Sequence, residues 1–82
     1  MIELTLYTRR DCELCHEMEN VIAAEMPKFE ARISRIEIDG DPELEARYGI
    51  EVPVLLVNQR KAFKYRCTAK ELRQRLLREI RS

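Results

Sequence analysis

No run of apolar residues in this chain of 82 approaches the ~20 that a membrane-crossing helix needs, which argues against a membrane partner. The opening MIELTLY has neither the basic start nor the long apolar centre of a secretory signal, so the expectation is a cytosolic protein. Aromatic residues are scarce, 6% with no tryptophan, and none interleaves with the basic residues near the C-terminus as a stacking platform for nucleic acid would require. Net charge is also missing, since 15 Lys and Arg balance 15 Asp and Glu. No internal repeat or linker divides the chain.

What remains is 45% hydrophobic and 37% charged, the composition of a globular domain with one core, so residues 1–82 are read as a single domain. The charges are unevenly spread. Residues 1–51 hold 6 basic and 13 acidic side chains, a balance of −7, and residues 52–82 hold 9 and 2, a balance of +7. Such polarity invites a nucleic-acid reading. The simpler account is that the halves fold against each other, with Lys70, Arg73, Arg78 and Arg81 on the outer face of a helix. No nucleic-acid partner is expected, and nothing suggests an obligate oligomer; a monomer is the expectation.

Ile2–Tyr7 alternates apolar with polar residues and predicts a strand. From about Asp11 to Met26 the residues Leu14, Met18, Val21, Ile22 and Met26 recur every three or four positions, which predicts an amphipathic helix ended by Pro27. ISRIEID is a second strand. A short helix follows, with Asp41 as N-cap, Pro42 at its first position and Gly49 as its stop. The unbroken VPVLLV predicts a central strand opened by Pro53, and Asn58 and Gln59 turn the chain. Phe63, Tyr65 and Cys67 then alternate with Lys64 and Arg66 as an edge strand. Thr68 to Glu71 spells a capping box before a last helix carried by Leu72, Leu76 and Ile80. The order is βαβαββα. A right-handed crossover makes the first two strands parallel, and a short turn makes the last two antiparallel.

The string CELCH, Cys12 to His16, fits three chemistries: c-type haem attachment, half of a zinc site, or a redox dithiol. Haem attachment requires export and a distal ligand, usually methionine. The methionines are Met1, Met18 and Met26, two of them on the helix of the cysteines. Zinc needs three or four ligands, and only Cys67 and His16 could join the pair, with His16 directly beside Cys15. A dithiol needs an exposed thiolate, a second thiol about one helical turn away and local positive potential. Cys12 at a helix start meets unpaired amides and the positive end of the dipole, and Arg9 and Arg10 add cationic charge. Cys12 is therefore the nucleophile and Cys15 the resolving thiol. Asp11 and Glu13 oppose the thiolate, which pushes the pair toward the reducing end of the range. No bound cofactor or metal is expected beyond the redox-active pair itself.

LYTRRDCELC and EIDGDPELEARYGIEVPVL together resemble the glutaredoxin-like members of the thioredoxin superfamily. The resemblance covers nearly the whole chain. It implies an α/β, thioredoxin-like fold of glutaredoxin type, with a four-stranded mixed sheet in the order 2-1-3-4 flanked by helices. It implies that the Val52–Pro53 bond is cis and near the dithiol, that the backbone of Val52 pairs with an extended substrate segment, and that Arg9 contacts a glutathione carboxylate where relatives carry lysine. The sequence departs from relatives that use glutathione. Their Gly-Gly and aspartate before the last helix are replaced by Cys67-Thr68-Ala69-Lys70-Glu71, and the Pro-Tyr between their cysteines by Glu13-Leu14.

Two functions follow. The first is a thiol-disulfide oxidoreductase acting on protein disulfides or small thiol substrates, with glutathione or a thioredoxin-reductase-like donor supplying electrons. The alternative is a binding or adaptor module that keeps the fold without redox turnover. An intact C-x-x-C at a helix start favours the enzyme. Cys67 is read as a buried inert thiol rather than a third redox centre, His16 as a solvated residue rather than a proton shuttle, and Tyr7 and Tyr48 as packing in or beside the core.

Overall fold

In the computed structural model, which describes residues 1–81, the elements are β1 (Ile2–Thr8), α1 (Glu13–Glu25), β2 (Ala31–Glu37), α2 (Pro42–Tyr48), β3 (Val54–Val57), β4 (Arg60–Lys64) and α3 (Ala69–Arg81). The strands lie side by side as β2-β1-β3-β4. β1 and β2 are parallel, whereas β1 with β3 and β3 with β4 are antiparallel. This is the mixed thioredoxin-like sheet that the resemblance implied.

Alternation along β1 sends Ile2, Leu4 and Leu6 to one face, where they meet Met18 and Ile22 of α1, Leu55 and Val57 of β3, and Leu72 and Leu76 of α3. Each fully buried aliphatic side chain in this layer contributes about 1.5–3 kcal/mol relative to exposure. The opposite face is smaller. There Ile38, Tyr48 and Val54 form a second cluster with Tyr7, Leu44, Val52 and Leu56 around α2. Among the described residues no helix is long and apolar enough to cross a membrane.

Local chemistry sets the helix ends. Pro27 ends α1 as expected, through a short 3-10 turn at Met26–Lys28. Asp41 accepts the amide of Leu44 at 3.1 Å and caps α2, with Pro42 at its first position. Gly49 closes α2 for a reason other than the one the sequence suggested. Its backbone is right-handed, φ −51, so left-handed freedom is not used; a Cβ there would collide with the Glu45 carbonyl and lie 3.4 Å from Arg9 Nη2.

β4 differs from expectation. Alternation suggested a strand reaching Cys67, but β4 ends at Lys64 because Tyr65 turns left-handed, φ 68. The ladder also slips: Leu55 faces Phe63 while Leu56 faces Lys61, so Ala62 is an extra residue. That bulge breaks the two-residue period on which the reading rested. Upstream, Asn58 and Gln59 both have positive φ, 49 and 69, the signature of a two-residue type I′ hairpin. On α3, Ile80 is 60% exposed and does not extend the apolar stripe of Leu72 and Leu76.

The charged halves meet in one interior pair. Glu25, 3% exposed, accepts from Arg73 Nε at 2.8 Å and from Lys28 at 3.2 Å, so an acid of α1 holds a base of α3.

Candidate active site

β1 carries the chain to the rim of the sheet, where Thr8 is fully buried on the α1 side. Arg9 and Arg10 are exposed, and Asp11 then turns left-handed, φ 55, a conformation that aspartate tolerates better than most residues. This turn sets Cys12 in extended geometry as the N-cap of α1. Its sulfur accepts the amide of Cys15 at 3.2 Å, one of the unpaired donors of the first helical turn.

Cys12 and Cys15 form a disulfide with their Cα atoms 5.2 Å apart, within the usual span for such bonds. Their exposures differ. Cys12 is half-buried and Cys15 is 1% exposed, so an incoming sulfur reaches Cys12, while Cys15 faces Cys12 from inside. Unpaired first-turn amides and the positive end of a helix dipole favour an anion at such a position.

The second wall of the site comes from β3. Tyr7 of β1 pairs with Val54 of β3, so the Val52–Pro53 segment and the loop leading to Cys12 share one end of the sheet. The Val52–Pro53 bond is cis and Pro53 is buried. The amide of Val52 donates to the Tyr48 carbonyl at 3.1 Å, so it is committed within the chain. Glu51 is fixed by Lys61 at 2.6 Å, and this ion pair holds its carboxyl below the usual range.

The two cations expected to raise the potential at Cys12 are already engaged. Arg9 donates through Nη2 to the Gly49 carbonyl at 2.7 Å. Arg10 donates its amide to Asp39 at 2.9 Å, and its guanidinium lies 3.8 Å from Glu37. Asp11 and Glu13 are exposed on either side of Cys12. Arg10 thus has acidic partners that offset its charge, whereas Arg9 is held by a neutral carbonyl and keeps its charge.

His16 is exposed, with Nδ1 3.8 Å from Glu19. Cys67 is buried, 8% exposed, and burial, aided by the charge of Glu71, pushes its thiol up to about 11. Strand alternation is not what buries it, since β4 stops short; the loop after Tyr65 packs it against the α1–α3 layer. Among the described residues no group of three or more His, Cys, Asp or Glu side chains could hold a metal ion. Tyr7 stacks on Tyr48, ring centroids 4.3 Å apart, on the α2 side of the sheet. Burial and its neighbour Tyr48 raise its pKa.

Three features escaped the sequence reading. Thr8 carries a buried hydroxyl without a hydrogen-bond partner among the described residues. Arg9 reaches Gly49, 40 residues away, and no local pattern signals that contact. A cleft of about 250 Å³ also opens between α1 and the β4–α3 loop, walled by Leu14 from between the two cysteines.

The glutaredoxin-like domain model (DUF836) matches residues 3–77. The crystal structure of target protein XcR50 from X. campestris is 33% identical, covering 92% of this chain and 96% of that one, with a TM-score of 0.80. Protein Ne2328 from Nitrosomonas europaea is 27% identical over 87% of this chain and 86% of its own, TM-score 0.74. Thioredoxin 1 from Thermosipho africanus shares the fold at 17% identity, covering 96% of this chain and 94% of that one, TM-score 0.69. No curated protein sequence matches the chain.

Proposed function

Since the chain belongs to the glutaredoxin-like domain family (DUF836), we propose that it is a thiol-disulfide oxidoreductase that reduces disulfides through Cys12 and Cys15. The observation that carries this reading is the asymmetry of the pair: a reachable sulfur at a helix N-cap, bonded to a sulfur that is 1% exposed.

In the reduced protein the Cys12 thiolate attacks one sulfur of the substrate disulfide. The Cys12–substrate bond forms, the substrate bond breaks, and the departing thiolate takes a proton. Cys15 then gives up its proton and attacks Cys12, which releases the second substrate thiol and leaves the Cys12–Cys15 disulfide. Two electrons pass to the substrate, and a dithiol reductase or two molecules of a monothiol such as glutathione restore the pair. During attack the carbonyl of Val52 accepts a hydrogen bond from the substrate backbone beside Pro53. Arg9, with donors to spare beyond Gly49, receives a substrate carboxylate in this reading. Asp11 and Glu13 disfavour the thiolate and bias the pair toward acting as a reductant.

The test is turnover of a protein disulfide and of a small mixed disulfide, with glutathione plus its reductase compared with thioredoxin reductase. Wild type is expected to exceed Cys12→Ser with at least one donor. Equal rates with both donors would defeat the proposal. Cys15→Ser is expected to accumulate the mixed disulfide on Cys12.

A further inference from the structure

Building on the oxidoreductase reading, we infer that the cleft beside Leu14 is a recognition groove for a protein disulfide that carries a lysine or arginine next to its reacting cysteine. Glu17 and Glu71 receive the basic head and turn away carboxylates. Leu14, which stands between Cys12 and Cys15 in sequence, lines the cleft and links it to the first turn of α1. Met18 and Val21 of α1 continue its apolar wall. Glu17 lines it from α1 and Glu71 from the first turn of α3.

The carboxylate of Glu71 is held in place. It accepts the Thr68 amide at 2.9 Å, and Thr68 Oγ1 accepts the Glu71 amide at 3.0 Å. This reciprocal box has a consequence beyond helix stability. A helix N-terminus beside a thiol site would ordinarily offer unpaired amides to an anionic ligand; here the chain's own groups take two of them, and a fixed negative charge stands at the opening. That charge acts on the cleft interior, where it adds to the upward shift of the Cys67 thiol.

Arg66 is the cation that also lines the cleft, and it is exposed. Two carboxylates against one guanidinium leave the lining negative. Asp11 and Glu13, exposed on either side of Cys12, add negative charge near the sulfur. Lys64, 5.5 Å from the Tyr65 ring that also lines the cleft, is paired with Glu51 at 3.8 Å, and Lys70, exposed beside Glu71, does not line the cleft. A lysine or arginine suits this lining on both counts: its methylene stem packs along the apolar wall while its head remains at the acidic rim. A small thiol bearing a carboxylate meets repulsion there.

The probes are three small disulfides of similar length: cystamine, 2-hydroxyethyl disulfide and 3,3′-dithiodipropionate, which are cationic, neutral and anionic. Each is mixed with the pre-reduced full chain, and formation of the Cys12–Cys15 disulfide is followed by alkylation quench and mass spectrometry. Every rate is divided by that of dithiothreitol with the same disulfide, which removes differences in leaving-group acidity. The normalised rates are expected to fall from cystamine to dithiodipropionate by at least about threefold per step, the scale of an exposed ion pair. Glu17→Gln with Glu71→Gln compresses that order, and a glutamine in the second position still serves a capping box. Salt at ~0.5 M, where the Debye length is about 4 Å, compresses it similarly. Wild type without charge ordering, or the double variant with full ordering, overturns the inference alone. A reduced chain that reacts with none of the three overturns the oxidoreductase reading and this inference with it.

Discussion

Arg9 Nη2 donates to the carbonyl of Gly49 at 2.7 Å, joining the loop that leads to Cys12 with the loop that leads to Val52 and Pro53. The contact also places a cation at the C-terminal end of α2, where it favours the helix dipole. Because Arg9 is exposed, its value to stability is small, about 0.5–1 kcal/mol. Its value to the site is greater, since it fixes the two walls relative to each other. Arg9→Ala is expected to lower Tm by only a few degrees while reducing kcat/KM for a protein disulfide about three- to tenfold, and Arg9→Lys is expected to recover part of that loss. An Arg9→Ala variant with wild-type kcat/KM would show that the tie has no role in substrate reduction.

Glu25 makes stability acid-sensitive. The hydrogen bond from Arg73, with Lys28 beside it, overcomes the cost of burial and lowers the Glu25 pKa to about 2. A depressed folded-state pKa contributes stability that is present above the unfolded value and lost as pH falls. The loss is therefore expected between about pH 4.5 and 2, with denaturant midpoints as the readout. Glu25→Gln is expected to be less stable at neutral pH and to show a flatter decline across that window. Parallel acid profiles for the two proteins would assign the decline to other carboxyls.

Cys67 is expected to be chemically silent in the folded protein. Burial and the charge of Glu71 push its thiol up to about 11, so after reduction iodoacetamide at pH 7.5 should modify Cys12 and spare Cys67, whereas all of the cysteines react under denaturing conditions; peptide mapping distinguishes them. The sign at high pH follows from the raised pKa. The unfolded thiol loses its proton at about 8.5 and the folded one later, so this contribution is intact below that pH and lost as pH rises toward 11. Cys67→Ala should remove that part of the alkaline decline. Rapid labelling of native Cys67 near neutral pH would contradict the burial argument.

Asp11 and Glu13 are expected to set the poise of the pair. Replacing both as Asp11→Asn and Glu13→Gln removes two negative charges beside Cys12, lowers its thiolate pKa and stabilises the reduced form. Equilibration with glutathione buffers should then give a potential less negative by about 10–30 mV, since ~30 mV corresponds to 1.4 kcal/mol for two electrons. A more negative potential would reverse the assigned role.

The dithiol and the order of elements were legible because both are local. C-x-x-C next to a helix start is a spacing on one turn, Asp41-Pro42 and Thr68 with Glu71 are short capping patterns, and Leu72 with Leu76 follows the helical period. The limits of β4 were not legible, since a bulge at Ala62 and a left-handed Tyr65 break the alternation that strand reading assumes. The arginines show the same divide. Sequence put Arg9 and Arg10 beside Cys12 and assigned their charge to it; the folded chain directs them to Gly49, Asp39 and Glu37.

By itself, then, the sequence determined the cysteine pair, the helix at whose N-terminus it sits, and the strand alternation of the sheet, because neighbouring residues in a regular backbone lie at fixed spacings. Tertiary structure decided which sulfur faces outward, which groups the arginines bind, and that the first turn of α3 brings Glu71 to a cleft walled by Leu14. Those outcomes depend on groups far apart in the chain, whose distances are set by how helices pack on the sheet.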